Sequence, residues 1–184
     1  LPHISFVGAC ATATHGSGIT NGNLATTVSR LQFVSGTGEL VTLDREKDGE
    51  IFHGAVVNLG GLGVVTQLTL DIEPTYSVRQ NVFCELPLDQ VCENFLGIIS
   101  SGYSVSLFTN WKDGSIDQVW LKRKVNGEEK LPAEFFGSRA ATENMHPIKG
   151  ISAENCTEQM GVAGKWYVRL PHFKMGFTPS KGEE

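Results

Sequence analysis

The apolar residues of this chain fall into periods that change along its length. Leu31 and Phe33, then Leu40, Val41 and Leu43, flank Gly36-Thr37-Gly38. That pattern predicts a hairpin over 30–44 closed by a tight turn. Phe52, Ala55 and Val56 recur at helical spacing and predict a short helix over 49–58, ended by Gly60-Gly61-Leu62-Gly63. Over 64–72, Leu68, Leu70 and Ile72 alternate with Gln67, Thr69 and Asp71, so a strand with one buried face is expected. Upstream, residues 4–14 read as short extended pieces broken by Gly8, and Leu24 to Val28 as one helical turn.

The character changes at Glu73-Pro74-Thr75, which is taken as a boundary between 1–74 and 75–184. Beyond it a strand is expected over 76–84, followed by the strongest helix over 88–100. Leu88, Val91, Cys92, Phe95, Leu96 and Ile99 form one stripe there, read as core packing. Strands follow at 103–109 and 117–125, with Asp113-Gly114 as the turn signal between them. From 126 to about 164 the pattern is weak and reads as a surface excursion, before a last strand over 166–170.

Composition narrows the function classes. The net charge is −5, which argues against sequence-independent nucleic-acid binding. The basic run Lys122-Arg123-Lys124 reads as a solvated strand end. No segment approaches the ~20 apolar residues of a membrane span. Cys10, Cys84, Cys92 and Cys156 make no CxxC pair and no zinc spacing. They read as buried free thiols of a reducing, cytoplasmic setting, with Cys92 on the apolar helix face. Asn155-Cys156-Thr157 is a chance glycosylation match in that setting. The chain begins at Leu1 and reads as an internal piece of a longer protein.

One stretch carries chemistry. Gly8-Ala9-Cys10-Ala11-Thr12-Ala13-Thr14-His15-Gly16-Ser17-Gly18 is built of small residues around a histidine. A backbone this bare allows close approach, and exposed peptide N–H groups favour an anion. No lysine follows these glycines in P-loop register. Gly16, Gly18 and Gly22 give G-x-G-x-x-x-G with no long helix behind, which excludes the dinucleotide fingerprint.

Leu1-Pro2-His3-Ile4-Ser5, Gly8-Ala9-Cys10-Ala11-Thr12 and Thr14-His15-Gly16-Ser17-Gly18 resemble the flavin domain of alditol oxidases, FAD enzymes of the vanillyl-alcohol-oxidase type. Leu59-Gly60-Gly61-Leu62-Gly63-Val64-Val65-Thr66 is similar to the family's second glycine motif, which aldonolactone oxidases share. Tyr103 to Phe108, Val119 to Arg123, Met145-His146-Pro147, Asn155 to Gln159 and Arg169 to Phe173 look like its cap.

The resemblance implies an α+β chain: the C-terminal half of a two-subdomain FAD-binding domain over 1–74, then part of an antiparallel-sheet cap over 75–184. It implies that Ser5, Gly8, Ala9, Cys10 and Ala11 contact FAD largely through the backbone, and that Thr12, Thr14, His15, Gly16 and Ser17 continue that wall. The plain alternative is a tight turn and nothing more. Val64 and Val65 either meet the adenine end or pack in the core. His15 is implied to neighbour the flavin, not to tether it. His3 either lines the same site or does not, and His146 and His172 pack. The implied reaction is oxidation of the terminal alcohol of an alditol such as xylitol or sorbitol. A base takes the hydroxyl proton, hydride passes to the flavin, and oxygen yields hydrogen peroxide. The family's substrate-gripping residues fall outside these 184 positions, so no catalytic residue and no metal is assigned. The rest of the protein is expected to complete the FAD site, and the isolated chain to bind FAD weakly without turnover. The alternatives are an aldonolactone oxidase or dehydrogenase, and a non-catalytic module that keeps the fold.

Overall fold

A computed structural model describes residues 4–112, 114–125 and 134–174. It is α+β and forms two compact units. The first comprises 4–16 and 21–74, and the second comprises 17–20 and 75–174. The chain thus leaves the first unit at Ser17, returns at Asn21, and leaves again at Thr75.

The first unit is a three-stranded antiparallel sheet in the order β2-β1-β3, formed by β1 (Val28–Ser35), β2 (Leu40–Asp44) and β3 (Gly63–Leu70). The hairpin β1–β2 forms as its sequence pattern predicts, with Phe33 opposite Val41 and Leu31 opposite Leu43. A single 3-10 turn at Leu24–Thr27 precedes it, where one helical turn was expected. Helix α2 (Arg45–Val56) buries Phe52, Ala55 and Val56, the three residues of the anticipated face. It starts four residues earlier than the spacing suggests. Asp44 caps it by accepting from the Glu46 amide at 3.1 Å, and Asp48 accepts from the Asp44 amide at 2.7 Å. Gly49 then bends the helix with φ 46°. On β3 only Val65 and Leu68 pack on the core; Leu70 is exposed, and Ile72, expected to be buried, is 93% exposed beyond the strand end.

The first unit also corrects the reading of residues 4–14. They contain a helix, α1 (Phe6–Ala11), not extended pieces. Ala9 and Ala11 favour helix, and Gly8 costs about 1 kcal/mol. Ala9 and Cys10 are buried, and Cys10 joins the core of Val28, Leu31, Phe33 and Phe52. Small side chains let this helix sit close to the core, and that tertiary gain escapes a periodicity argument.

The second unit is an antiparallel sheet in the order β5-β6-β4-β8-β7. Its strands are β4 (Ser77–Pro87), β5 (Ser104–Phe108), β6 (Ser115–Lys124), β7 (Glu134–Phe135) and β8 (Ser138–Ala140), and β9 (Gly164–Lys165) also pairs with β4. Helix α3 (Leu88–Ile99) covers one face through Val91 and Ile98, which pack with Phe83, Leu86, Val119 and Leu121. Most of the predicted stripe faces outward: Leu88, Cys92, Phe95 and Leu96 are exposed. The buried pair lies seven residues apart on the neighbouring face, and Asn94, off helical geometry at φ −120°, interrupts the stripe between them. Asp113 and residues 126–133 lie outside the described residues, whereas Gly114 takes φ +62° as a turn residue.

Three further expectations are overturned here. The stretch expected as a surface excursion, 126 to about 164, is packed over its described part, since Phe135, Ser138, Cys156, Thr157 and Gln159 are buried in it. Its polar side chains do the packing: Gln159 bonds both backbone groups of Met145, and Thr157 donates to the Pro171 carbonyl at 2.8 Å. Trp166–Arg169 form a short helix, α4, in place of a strand. Lys122 is not at a solvated end but is 1% exposed.

Candidate functional site

The small-residue stretch divides between support and surface. Ala9 and Cys10 face the core and Ala11 is half-buried, whereas Ser5, Gly8, Thr12, His15 and Gly16 are exposed. The Ala9 amide donates to Ser5 at 2.9 Å, Ala13 to Cys10 at 3.1 Å and Thr14 to Ala9 at 2.9 Å. These amides are spent inside the fold, so the run offers an anion fewer N–H groups than an extended loop would.

Hydroxyls and bare backbone remain on the outside. Thr12 Oγ1 lies 3.0 Å from the Gly8 carbonyl and 3.2 Å from Thr14 Oγ1, which brings Gly8, Thr12 and Thr14 into one patch. A Cβ on Gly16 would meet nothing within 4 Å, and one on Gly8 only Ser5 Cβ at 3.9 Å, so the surface is clear for a close approach. Ile4, Phe6 and Val7 expose apolar surface beside it. The His15 ring turns back on its own loop, with Nδ1 3.0 Å from the Gly16 carbonyl. Ser17 belongs to the second unit, where its hydroxyl lies 2.5 Å from that of Ser104. His3 lies outside the described residues.

The second glycine motif meets the first through the backbone: the Leu59 amide donates to the Ala11 carbonyl at 3.0 Å. The Asn58 side chain organises that turn by accepting from the Gly60 amide at 2.7 Å. Gly63 has φ +138°, and a Cβ there would overlap the Val34 carbonyl, so its glycine serves strand pairing and not a ligand. Val65 packs on the core, whereas Val64 is 70% exposed. Two clefts of about 300 and 220 Å³ in the first unit are lined by Ser29, Arg30 and Asp44, and by Asn23, Phe52 and Val56, among others; no predicted site residue lines either.

Among the described residues no cluster of His, Cys, Asp and Glu could hold a metal. No described helix is long and apolar enough to cross a membrane.

No family model matches the chain. Along its full length, however, it is 51% identical to alditol oxidase of a Streptomyces species. The chain belongs to the alditol oxidase family. It spans 43% of the length of that relative. Shorter matches tie the alditol oxidase family to lactone enzymes. L-gulono-1,4-lactone dehydrogenase of Mycobacterium tuberculosis is 38% identical over 42% of this chain and 17% of its own. D-arabinono-1,4-lactone oxidase of Eremothecium gossypii is 37% identical over 39% of this chain and 14% of its own. The fold is shared with a variant of cholesterol oxidase from Brevibacterium sterolicum. That structure has a TM-score of 0.51 and 17% identity, covering 64% of this chain and 25% of that one.

The residue that sequence reasoning misplaced in this family member is Lys122. Gln118, Trp120 and Lys122 share strand parity, and all three are buried on one face. That parity was the available signal, masked by the adjacent Arg123 and Lys124.

Proposed function

We propose that this chain is the part of an FAD-dependent alditol oxidase that holds one side of the cofactor, in a protein that oxidises the terminal alcohol of a polyol such as xylitol or sorbitol with oxygen as acceptor. The observation that carries the reading is the 51% identity to alditol oxidase over the whole chain, both glycine motifs included.

The residues fit the group. FAD pairs an anionic pyrophosphate with flat apolar rings. The patch has hydroxyls at Ser5, Thr12 and Thr14, open backbone at Gly8 and Gly16, and apolar neighbours at Ile4, Phe6 and Val7. In this reading Ser5, Gly8, Thr12, Thr14, His15 and Gly16 present the contact surface. Ala9, Cys10 and Ala11 hold it against the core, and the Ala11–Leu59 bond fixes its position. Ser17 anchors the outgoing end of the loop through Ser104, and Val64 offers an exposed apolar contact on β3. FAD, when bound, supplies the hydride acceptor. Residues 1–74 act as the C-terminal half of the cofactor domain and 75–184 as part of the cap. The side chains that grip the polyol belong to the portion of the protein without a counterpart here, and the full protein completes the FAD site. Four free thiols suit a cytoplasmic enzyme.

The full-length protein decides the matter. Flavin absorbance together with peroxide release on xylitol or sorbitol supports the reading. Turnover of a sugar lactone instead would favour the lactone relatives, and absence of flavin would overturn the cofactor assignment.

A further inference from the structure

The face of β4–β6–β5 opposite α3 carries an unusual layer. Gln80, Lys122 and Ser104 stand opposite one another in one row, and Val82, Trp120 and Ser106 in the next. The segment Trp166–Phe173 lies over them. The Lys122 ammonium donates to the Leu170 carbonyl at 2.5 Å. The His172 ring stacks obliquely on Trp120 at 5.1 Å and edge-on to Phe108 at 5.7 Å, with Nε2 3.2 Å from Ser106 Oγ. Thr157 ties the same segment from the other side, its amide donating to the His172 carbonyl at 3.0 Å.

Lys122 beneath this short segment and His172 on its sheet-facing side are thus two buried basic groups, and neither has a carboxylate partner among the described residues. The nearby charges are committed elsewhere. Glu158 accepts from the Met160 and Val162 amides. Lys124, two residues along β6, lies over the rings of Tyr76 and Tyr103. Arg169 donates to the Val162 carbonyl, and Lys174 to that of Glu154. Gln80 Oε1, in the same row as Lys122, is buried without a partner among the described residues, so the closed layer is not fully satisfied there.

We propose that Trp166–Phe173 is an acid-loosened strap, closed over Lys122 with its own His172 ring tucked against the sheet, and released when these two side chains are protonated in water. Burial holds the Lys122 amine down at about 8 from 10.5. Burial, then the charge of Lys122, holds His172 down at about 4 from 6.5. Opening returns both groups to water and to their ordinary proton affinity, so the open state binds protons more tightly than the closed one. The opening constant therefore rises as pH falls from 10.5 to 8, by up to about 300-fold. It rises again as His172 loads between 6.5 and 4, by a factor of up to about 300.

Hydrogen exchange on the full-length protein, corrected for intrinsic rates, tests this at the Thr157, Leu170 and Lys174 amides. Their protection is expected to increase at least tenfold from pH 8 to pH 10, while amides of the β4–β6 ladder do not follow. Lys122→Met should abolish that step, and His172→Phe, which keeps the ring stacking, should abolish the one below pH 6.5. The wild-type profile decides even if a variant fails to fold. Equal protection at pH 8 and pH 10, the same pH slope in both variants, or a parallel change across the β4–β6 ladder would each overturn the proposal.

Discussion

Replacing Gly63 with alanine probes what the second glycine motif is for. Gly63 sits at φ +138° opposite Ser35, and an added Cβ would run into the Val34 carbonyl, a backbone atom that cannot swing aside. The unfavourable φ costs about 1–2 kcal/mol. Relieving the overlap means lifting the start of β3 off β1, at the Ser35–Gly63 and Val34–Val64 pairs. Losing one or two ladder bonds adds roughly 1–3 kcal/mol. Gly60 is the internal control. Its φ is +79°, but a Cβ there would meet nothing within 4 Å, so Gly60→Ala carries only the conformational cost. Urea unfolding of the two variants beside the wild type should place Gly63→Ala lower than Gly60→Ala by roughly 1–3 kcal/mol. If the two agree within about 0.5 kcal/mol, the pairing argument is wrong.

Four other outcomes are expected. Gly16→Val, at a position with no positive φ and open space around its Cβ, should leave stability within about 0.5 kcal/mol while lowering flavin content of the full-length protein; unchanged flavin would remove Gly16 from the site. Phe52→Ala should cost about 3–5 kcal/mol in denaturant unfolding, because the ring is 1% exposed at the centre of the first core. Asp44→Ala should lower the denaturant midpoint as a lost helix cap. The Arg30 guanidinium bonded to Asp44 lowers its carboxyl pKa, so this difference should persist at neutral pH and shrink in acid as the folded-state carboxyl takes up a proton. With a thiol reagent Cys92 should react first, since it is exposed, whereas Cys10 and Cys156 are buried and burial raises their thiol pKa values.

Much of the architecture was legible wherever one element carried its own period. The β1–β2 hairpin has apolar alternation and a glycine turn within fifteen residues, so neighbours in sequence are also neighbours in space. The buried face of α2 was readable for the same reason. What failed depended on distant partners. Helix α1 has no polar face to mark its period, and its place is set by Cys10, which joins the core of Phe52 and Val28. The stretch from 134 to about 164 looked like loop because polar side chains such as Gln159 and Thr157 hold it to the fold, and polarity is normally read as exposure. Among the proposed contact residues the small-residue run was conspicuous in the sequence. Its division into buried support and open surface was not, since that depends on which side of α1 faces the core.

The four residues Ser17–Thr20 give the molecule an unusual parsing. They are encoded within the first unit but belong physically to the second, and Ser17 meets Ser104 across 87 positions of chain. A cut between Pro74 and Thr75 therefore does not separate two self-sufficient halves. The downstream piece loses four residues of its own structure, and the upstream piece keeps them with nothing to pack on. The two pieces should behave as complementing fragments, each needing the other to recover its native contacts, so any dissection of this protein has to carry the short insert along with the segment it serves.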